Sequence, residues 1–125
     1  MPKITSFRDL IAWQKAMDLA DKIYDVTDPF PPRERFGLAF QMRKSAVSIP
    51  SNIAEGNRLR TPGYVNHVII ALGSHGELDT QCEIATRRKF IRPVDRDDLL
   101  QLLAEVGRLM NGLGRSLDPV AWDNR

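Results

Sequence analysis

The chain has 125 residues, of which 42% are hydrophobic and 27% are charged, and its formal net charge is +2. This size and composition are typical of one globular domain, so we expect a single domain over residues 1–125. No apolar run approaches the ~20 residues of a membrane span, and the first ten residues lack the apolar centre of a signal peptide. The single cysteine, Cys82, excludes an internal disulfide and is expected to be a buried structural thiol. We therefore expect a cytoplasmic protein without membrane association.

Four segments show the apolar spacing of amphipathic helices, and few windows alternate as strands do. The prolines of DPFPP end the first helix, Thr61 and Pro62 provide an N-cap and a first position for the third, and Asp118 with Pro119 ends the fourth. The spacing predicts helices over about residues 6–27, 33–59, 62–89 and 97–117. Similar rods joined by short loops favour an all-α fold, an antiparallel up-down-up-down four-helix bundle.

Two of the predicted helices have a wider apolar surface than one bundle core requires. In the first helix, two neighbouring apolar seams cover about 200° of arc, whereas a core-facing helix needs a little over about 100°. In the third helix, apolar side chains point in nearly every direction. We interpret the excess as a subunit interface of a homo-oligomer, since a monomer would expose large apolar patches. The alternative is a wide internal core with some exposed aliphatic side chains. The predicted interface residues are Trp13, Leu19, Ile23, Ile69, Ile70 and Leu72.

Residues suited to catalysis or metal binding are few. His67 and His75 both lie on the third predicted helix, and no other helix offers His or Cys, so the ligands of a transition metal cannot converge from two elements. We therefore predict a protein with no enzymatic activity, no cofactor and no metal. The alternative, an enzyme, requires a pocket between subunits that brings Asn52, Glu55 and Glu77 together.

The middle of the chain carries an excess of basic residues. Residues 33–92 hold ten basic and five acidic side chains, and both flanks are slightly acidic. In an antiparallel bundle the loops gather most of these cations at the two ends, where they can neutralise phosphates without reading sequence. We therefore predict binding to RNA or DNA. No aromatic platform for stacking bases is visible in the pattern. The predicted contact residues are Arg33, Arg35, Arg43, Lys44, Arg58, Arg60, Arg87, Arg88, Lys89 and Arg92.

Two alternatives to nucleic-acid binding stay open at this point. The cations can form a solvated helix end that nearby acidic side chains offset. The oligomer can also be a scaffold that presents surfaces to a protein partner and binds no nucleic acid, with the arginines serving only solubility.

Pro50 is the only proline that interrupts a helical pattern, and it lies in the stretch SIPSNIAEG, residues 48–56. One interpretation is a break, after which Asn52 and Glu55 cap a new helix. That helix would have only about eight residues and would need packing to be stable. We favour one long helix 2 kinked at Pro50, whose missing N–H frees a backbone carbonyl. The short polar side chains nearby are expected to pair with each other, with freed backbone groups, or with Glu77 and Gln81 of the third helix.

A resemblance to a known family is carried by three segments, FRDLIAWQKAMDLADKIY, GLAFQMRKSAVSIPSNIAEGNR and GSHGELDTQCEIA. Over roughly residues 7–91 the chain resembles the bacterial four-helix-bundle family of 23S rRNA intervening-sequence proteins. The resemblance implies a cytoplasmic antiparallel bundle that assembles as a homopentamer and has no established enzymatic activity. A related branch comprises accessory proteins of diversity-generating retroelements, which bind nucleic acid and a reverse transcriptase.

The motif residues of these segments are predicted to be architectural, bending the second helix and setting its packing on the third. They are Ser48, Pro50, Ser51, Asn52, Glu55, Gly56, Ser74, Glu77 and Gln81. The chain departs from the family pattern in two places. The third helix opens with TPGY, so Tyr64 replaces the acid that usually completes a capping box. The segment RRKFI, residues 87–91, is more basic than the usual ending of that helix, which favours nucleic-acid binding.

Overall fold

The computed structural model describes residues 6–125, so residues 1–5 of the predicted domain lie outside the described part. The helices are α1 (Ile11–Thr27), α2 (Leu38–Asn57), α3 (Thr61–Arg87), α4 (Pro93–Leu117) and the short α5 (Pro119–Asp123). Two 3-10 turns, Phe7–Asp9 and Pro32–Glu34, precede α1 and α2. The all-α prediction is confirmed, because residues 6–125 contain helices and no strand. In this part of the chain, no helix combines the length and apolarity needed to cross a bilayer.

The first long helix begins later than predicted, at Ile11 instead of residue 6. Ser6 accepts a hydrogen bond from the Arg8 N–H at 3.2 Å, and its own N–H donates to the Asp9 carboxylate at 3.2 Å. This capping box opens a separate 3-10 turn. Leu10 then adopts an extended conformation, which separates this turn from α1. The apolar spacing in the sequence continues through Leu10, although the helix is interrupted there.

The second long helix is shorter at both ends than the predicted range 33–59. Pro32 begins the 3-10 turn, and the chain turns again before Gly37, the residue that precedes α2. At the other end, α2 stops at Asn57. It is one continuous α-helix through Pro50, so the interpretation of a break with a newly capped helix is wrong.

The third helix begins one residue and ends two residues earlier than predicted, and the fourth differs from its predicted range at its N-terminus. Thr61 is the first helical residue of α3 and not its cap, and Arg60 before it provides no side-chain hydrogen bond. The α4 helix begins at Pro93, four residues before the predicted position 97. Proline fits the first turn of a helix, where its missing N–H has no intrahelical partner to lose. The prediction treated Pro93 only as a residue that ends a helix, so it placed the start of the fourth helix too late.

The short C-terminal helix α5 was not predicted. Asp118 accepts a hydrogen bond from the Ala121 N–H at 3.1 Å, and Pro119 occupies the first helical position. These two residues, which were predicted to end the fourth helix, therefore also begin α5. Its Trp122 is buried against Gly114 of α4, where a side chain at residue 114 would collide with the indole ring. The last turn of α4 is therefore shaped to receive this ring.

The four long helices pack on one another in cyclic order. Helix α1 packs on α2 and α4, and α3 packs on α2 and α4, whereas within residues 6–125 the diagonal pairs, α1 with α3 and α2 with α4, do not pack together. Helices α1 and α4 run in opposite directions, because the later residue of α1 pairs with the earlier residue of α4. Lys22 lies 3.6 Å from Asp95, and Lys15 lies 3.7 Å from Glu105. The fully buried side chains include Leu19, Ile23, Met42, Ile49, Ile53, Val68, Leu78, Leu99, Val106 and Met110.

Candidate functional site

A polar network joins α2 to α3 through Ser48 and Asn52, which lie two residues before and two residues after Pro50. The Ser48 and Ser74 hydroxyls lie 2.7 Å apart across the two helices. The Asn52 amide donates to the Ser48 carbonyl at 2.9 Å and to its hydroxyl at 3.1 Å. The Asn52 Oδ1 then faces Nδ1 of His67 at 3.0 Å, and because an amide oxygen only accepts, His67 is the donor. Helix α2 is thereby tied to α3 through side chains that the stretch SIPSNIAEG supplies.

The short polar side chains near Pro50 pair with each other and with backbone groups, which are two of the three expected alternatives. The third alternative is wrong, because their partners on α3 are Ser74 and His67 instead of Glu77 and Gln81. Glu77 is exposed, and the buried Oε1 of Gln81 has no hydrogen-bond partner among the described residues. In an antiparallel hairpin, residues equally far from the turn lie opposite each other, and the turn here spans residues 58–60. Position 52 therefore lies opposite the region of His67, and Glu77 is about 15 Å further along α3.

The same register separates the side chains that an enzyme would need. Glu55 lies on α2, one turn after Asn52, and its side chain is exposed. Its Oε2 is 3.9 Å from Nδ1 of His67. Glu77 lies about ten residues from His67 on a straight helix, or about 15 Å away. Within one copy of the chain, the structure does not bring Asn52, Glu55 and Glu77 together.

Two further motif residues act through the backbone and through close packing. Ser51 donates its hydroxyl hydrogen to the Val47 carbonyl at 2.7 Å, one turn before it and beside Pro50. Gly56 is buried against α3, and a Cβ at this position would lie 2.8 Å from the Cβ of His67. Real Cβ atoms do not approach so closely, so the glycine lets the ends of α2 and α3 meet. These contacts give SIPSNIAEG a packing role.

The buried Tyr64 occupies the place of the family's capping acid. Its hydroxyl accepts a hydrogen bond from the Asn57 amide at 3.2 Å, across the α2–α3 connection. Burial raises the pKa of the Tyr64 phenol above its usual 10.0, and the hydrogen bond from Asn57 opposes that rise. Instead of capping the N-terminus of α3, the buried Tyr64 side chain links α3 to α2 through its hydrogen bond with Asn57.

The second histidine and the cysteine serve packing. Nε2 of His75 lies 2.7 Å from the Leu103 carbonyl of α4, and because a carbonyl only accepts, Nε2 carries the proton. Cys82 is buried in the core, and burial, followed by the nearby Asp79 carboxylate, raises the pKa of its thiol to about 12. Among residues 6–125, no cluster of three or more His, Cys, Asp or Glu side chains is suited to hold a metal ion.

Three of the predicted nucleic-acid contacts are already paired with carboxylates. Arg43 donates to Thr27 at 2.8 Å and to Asp28 at 2.9 Å, and its guanidinium lies 4.8 Å from the centroid of the Tyr24 ring. It therefore connects the end of α1 to α2, and its pairing with Asp28 leaves it less available to a phosphate than a cation without a carboxylate partner. Two exposed arginines are paired within their own segments, Arg87 with Glu83 at 3.1 Å and Arg92 with Asp95 at 2.9 Å.

The other predicted cations have no carboxylate within 4.0 Å among the described residues. They are Arg33, Arg35, Lys44, Arg58, Arg60, Arg88 and Lys89. The structure brings Arg33 near the α3–α4 connection, since its guanidinium lies 5.9 Å from the centroid of the Phe90 ring, and Arg35 follows two residues later in the same turn. The Phe30 and Phe90 ring centroids are 5.5 Å apart and join the same two segments. We call this end of the molecule, residues 28–37 and 87–92, the basic end.

The remaining three of the seven cations lie elsewhere. Arg58 and Arg60 belong to the α2–α3 connection, at the opposite end from the basic end, and Lys44 is exposed partway along α2. Arg58 borders a groove of about 430 Å³ together with Arg8, which lies 4.6 Å from the centroid of the Phe7 ring. The predicted contacts therefore do not form one continuous surface on a single copy of the chain.

The predicted subunit interface divides into core residues and surface residues. Leu19 and Ile23 are fully buried within one chain, so they cannot contact a second copy, and their assignment to an interface is corrected. The apolar seam of α1 that consists of Ala12, Ala16, Leu19, Ile23 and Val26 faces the internal core. Trp13 and Leu72 are partly buried and pack on the core, whereas Ile69 and Ile70 are 39% and 44% exposed.

The other apolar seam of α1 borders a surface groove beside α2. This α1–α2 groove has a volume of about 390 Å³. Its walls are Trp13, Met17, Ala20, Asp21 and Tyr24 from α1 and Val47, Pro50, Ser51 and Ala54 from α2. Pro50 is thus buried in the wall of an apolar surface, on the side of α2 away from the polar network.

Comparison with protein families matches residues 8–112 to the model described as "23S rRNA-intervening sequence protein". Comparison with curated proteins finds no similar sequence. The family match covers α1, α2, α3 and most of α4, including the polar network and the basic end, and the family's description names no reaction. The match spans well over half of the chain and agrees with its helical structure. The chain therefore belongs to the family of 23S rRNA-intervening sequence proteins.

Proposed function

We propose that this protein is a non-catalytic homo-oligomer, a pentamer of antiparallel up-down-up-down four-helix bundles, that binds RNA or DNA through phosphates without reading sequence. The observation that carries the nucleic-acid part is the basic end, where Arg33, Arg35, Arg88 and Lys89 have no carboxylate partner within the described residues. Cations that are not neutralised internally are available to replace the counterions of a phosphate backbone.

The bundle topology is supported by the cyclic order of helix packing and by the opposite directions of the paired side chains along α1 with α4 and along α2 with α3. Assembly is supported by two apolar surfaces that a single chain leaves in water. One is the α1–α2 groove, and the other is the part of α3 that includes Ile69, Ile70 and Ile84. A ring requires two different surfaces that fit each other, and the chain offers two.

Oligomerisation strengthens the nucleic-acid proposal. The basic end also carries acidic side chains, and a single copy has few cations to spare. A ring repeats these cations around its axis, so several weak phosphate contacts act together on one strand. A kink in α2 at Pro50 fits the same proposal, because Pro50 lies in the wall of the α1–α2 groove, where a bend changes the shape of the assembling surface.

The test is a titration of the purified protein against labelled structured RNA and duplex DNA over a series of salt concentrations, read by fluorescence anisotropy. We expect binding at low salt, with the logarithm of the association constant falling linearly with the logarithm of salt concentration. The double variant Arg88→Ala with Lys89→Ala is expected to weaken binding and flatten this slope. Arg115→Ala is the matched control, because Arg115 is paired with Asp123 at 3.0 Å and lies near the other end of α4. No binding at low salt would contradict the nucleic-acid part.

The second candidate function is a protein-interaction scaffold, and the α1–α2 groove favours it. Exposed apolar grooves of this kind are typical of surfaces that bind other proteins. On this proposal the groove binds a protein partner, such as the reverse transcriptase implied by the resemblance to retroelement accessory proteins, and the cations serve solubility. Changes to Met17 in the groove would then abolish partner binding, while Arg88→Ala and Lys89→Ala would have no effect.

A further inference from the structure

The turn before α2 holds a phenylalanine that is exposed to water. Phe36 is 84% exposed, more than any other large apolar side chain among residues 6–125, and it does not pack on the core. The guanidinium of Arg35 lies 5.5 Å from the centroid of its ring, within the range of a cation–π contact. The ring is therefore held beside a cation with most of its surface open, an arrangement that contributes little to folding.

A second arginine–phenylalanine pair lies on the same end of the molecule. Arg33, two residues before Arg35, lies over the ring of Phe90 from the α3–α4 connection, and Phe90 packs on the buried Phe30. These contacts fasten the turn that carries Phe36 to the segment that carries Arg88 and Lys89. An exposed ring and four cations without carboxylate partners among the described residues thus belong to one packed unit, the basic end.

We propose that the basic end binds single-stranded nucleic acid, with one base stacked on Phe36 and the flanking phosphates on Arg33, Arg35 and Arg88. The proposal rests on the proposed nucleic-acid function and specifies the strand and the residue that holds the base. Every base offers a π face, but a duplex buries its faces in its own stack, so only an unpaired base can use an exposed ring. Charge complementarity favours this ligand over an apolar peptide, because Arg35 lies beside the ring and Arg33, Arg88 and Lys89 belong to the same end of the molecule.

The acidic residue nearest in sequence does not oppose this assignment. Glu34 lies between the two arginines, but its carboxylate is placed beside Gly37, where a Cβ would lie 3.0 Å from the Glu34 Oε2. Gly37 immediately precedes α2, so this carboxylate lies at the positive N-terminal end of that helix. The negative charge of Glu34 therefore interacts with the N-terminal end of α2.

The test compares a labelled oligouridylate, an oligothymidylate and a duplex of the same length, by anisotropy at one low salt concentration. We expect Phe36→Ala to weaken single-strand binding about 5- to 100-fold, the usual effect of removing one stacking ring, and to leave duplex binding nearly unchanged. Phe36→Trp should restore single-strand binding. Phe40→Ala is the matched control, because Phe40 is a second exposed phenylalanine close in sequence but has no arginine over its ring among the described residues. The two single strands show whether the site distinguishes RNA from DNA.

The outcomes separate this inference from the function on which it rests. Absence of binding by the unmodified protein to every probe would overturn both. Equal binding to single strands and duplex that survives Phe36→Ala would overturn the stacking site and leave the phosphate-binding proposal standing. Equal losses from Phe36→Ala and Phe40→Ala would also overturn it, as would a change in oligomeric state on Phe36→Ala, since Phe36 would then belong to a subunit interface.

Discussion

Gly56 of α2 and His67 of α3 lie so close that a Cβ at residue 56 would be 2.8 Å from the Cβ of His67. The same histidine donates a hydrogen bond to Asn52, one turn before Gly56. The hydrogen bond sets the register of the two helices, and the glycine sets how closely they approach. Both features belong to the stretch SIPSNIAEG, which therefore acts on the packing of α2 against α3.

Gly56→Ala is expected to lower the free energy of unfolding by about 1–3 kcal/mol, the usual cost of overpacking a close contact. Urea unfolding at a single protein concentration measures it, because assembly makes stability depend on concentration. The control is Gly112→Ala on α4, where a new Cβ meets nothing within 4 Å. That change should be neutral or stabilise by up to about 1 kcal/mol through helix propensity. Equal effects of the two changes would contradict the packing role.

Pro50→Ala is expected to change the oligomeric state or the stability of the assembly. Alanine restores a backbone N–H and removes the proline ring from α2, which alters the wall of the α1–α2 groove. Multi-angle light scattering gives the oligomeric state, and Pro93→Ala is the control, since Pro93 is exposed at the first position of α4. An intact and equally stable oligomer of Pro50→Ala would count against an architectural role for this proline.

Ile70→Glu is expected to break the proposed oligomer into smaller species. Ile70 is 44% exposed on α3, so a charge there is tolerated in a free chain but not in an apolar interface. The control is Val94→Glu, because Val94 is 73% exposed at the start of α4 and is no part of the proposed interface. Sedimentation velocity should show a lower mass for Ile70→Glu alone, and an unmodified protein that is itself monomeric would refute the assembly proposal.

The stability of the protein is expected to fall as the pH rises above about 9, partly through Cys82. Its thiol keeps its proton to a pKa of about 12 in the folded chain, whereas its usual value is 9.0. Between these values the folded state binds more protons than the unfolded state, so the free energy of unfolding decreases by at most about 1.4 kcal/mol per pH unit. Cys82→Ala should remove this contribution. Urea unfolding at several pH values compares the slopes, and identical slopes would contradict the assignment.

Lys89→Gly is expected to stabilise the protein by about 1 kcal/mol. Lys89 has a φ of 61°, a left-handed conformation just after the end of α3 that costs a residue with a Cβ but not glycine. Lys89→Ala removes the same charge but keeps the Cβ, so it separates the backbone effect from the loss of a cation. Thermal unfolding of both variants should show a higher midpoint for glycine, and equal midpoints would refute the backbone argument.

Several residues of the site could be named from the sequence because they belong to the short motifs that carry the family resemblance. Ser48 and Ser74 were both identified as motif residues, and they do meet across α2 and α3. Glu77 and Gln81 were wrong as partners of this stretch on α3, although the length of the connection between the helices limits the choice. Counting equal distances from the turn at residues 58–60 places residue 52 opposite residue 66, next to His67. Arg43 could not be assigned in this way, because its pairing with Asp28 depends on where the loop before α2 places that acid.

The order of residues along the chain was enough to specify the four long helices, the all-α class and the family, because helix formation and short motifs depend on residues close together in the chain. The packing of the helices was needed to establish which seam of α1 faces the core, so that Leu19 and Ile23 are internal while the groove beside Pro50 stays open. It was also needed to place Phe36 in water beside Arg35. Burial and pairing follow from where distant segments pack, and a one-dimensional pattern of apolar residues does not contain that information.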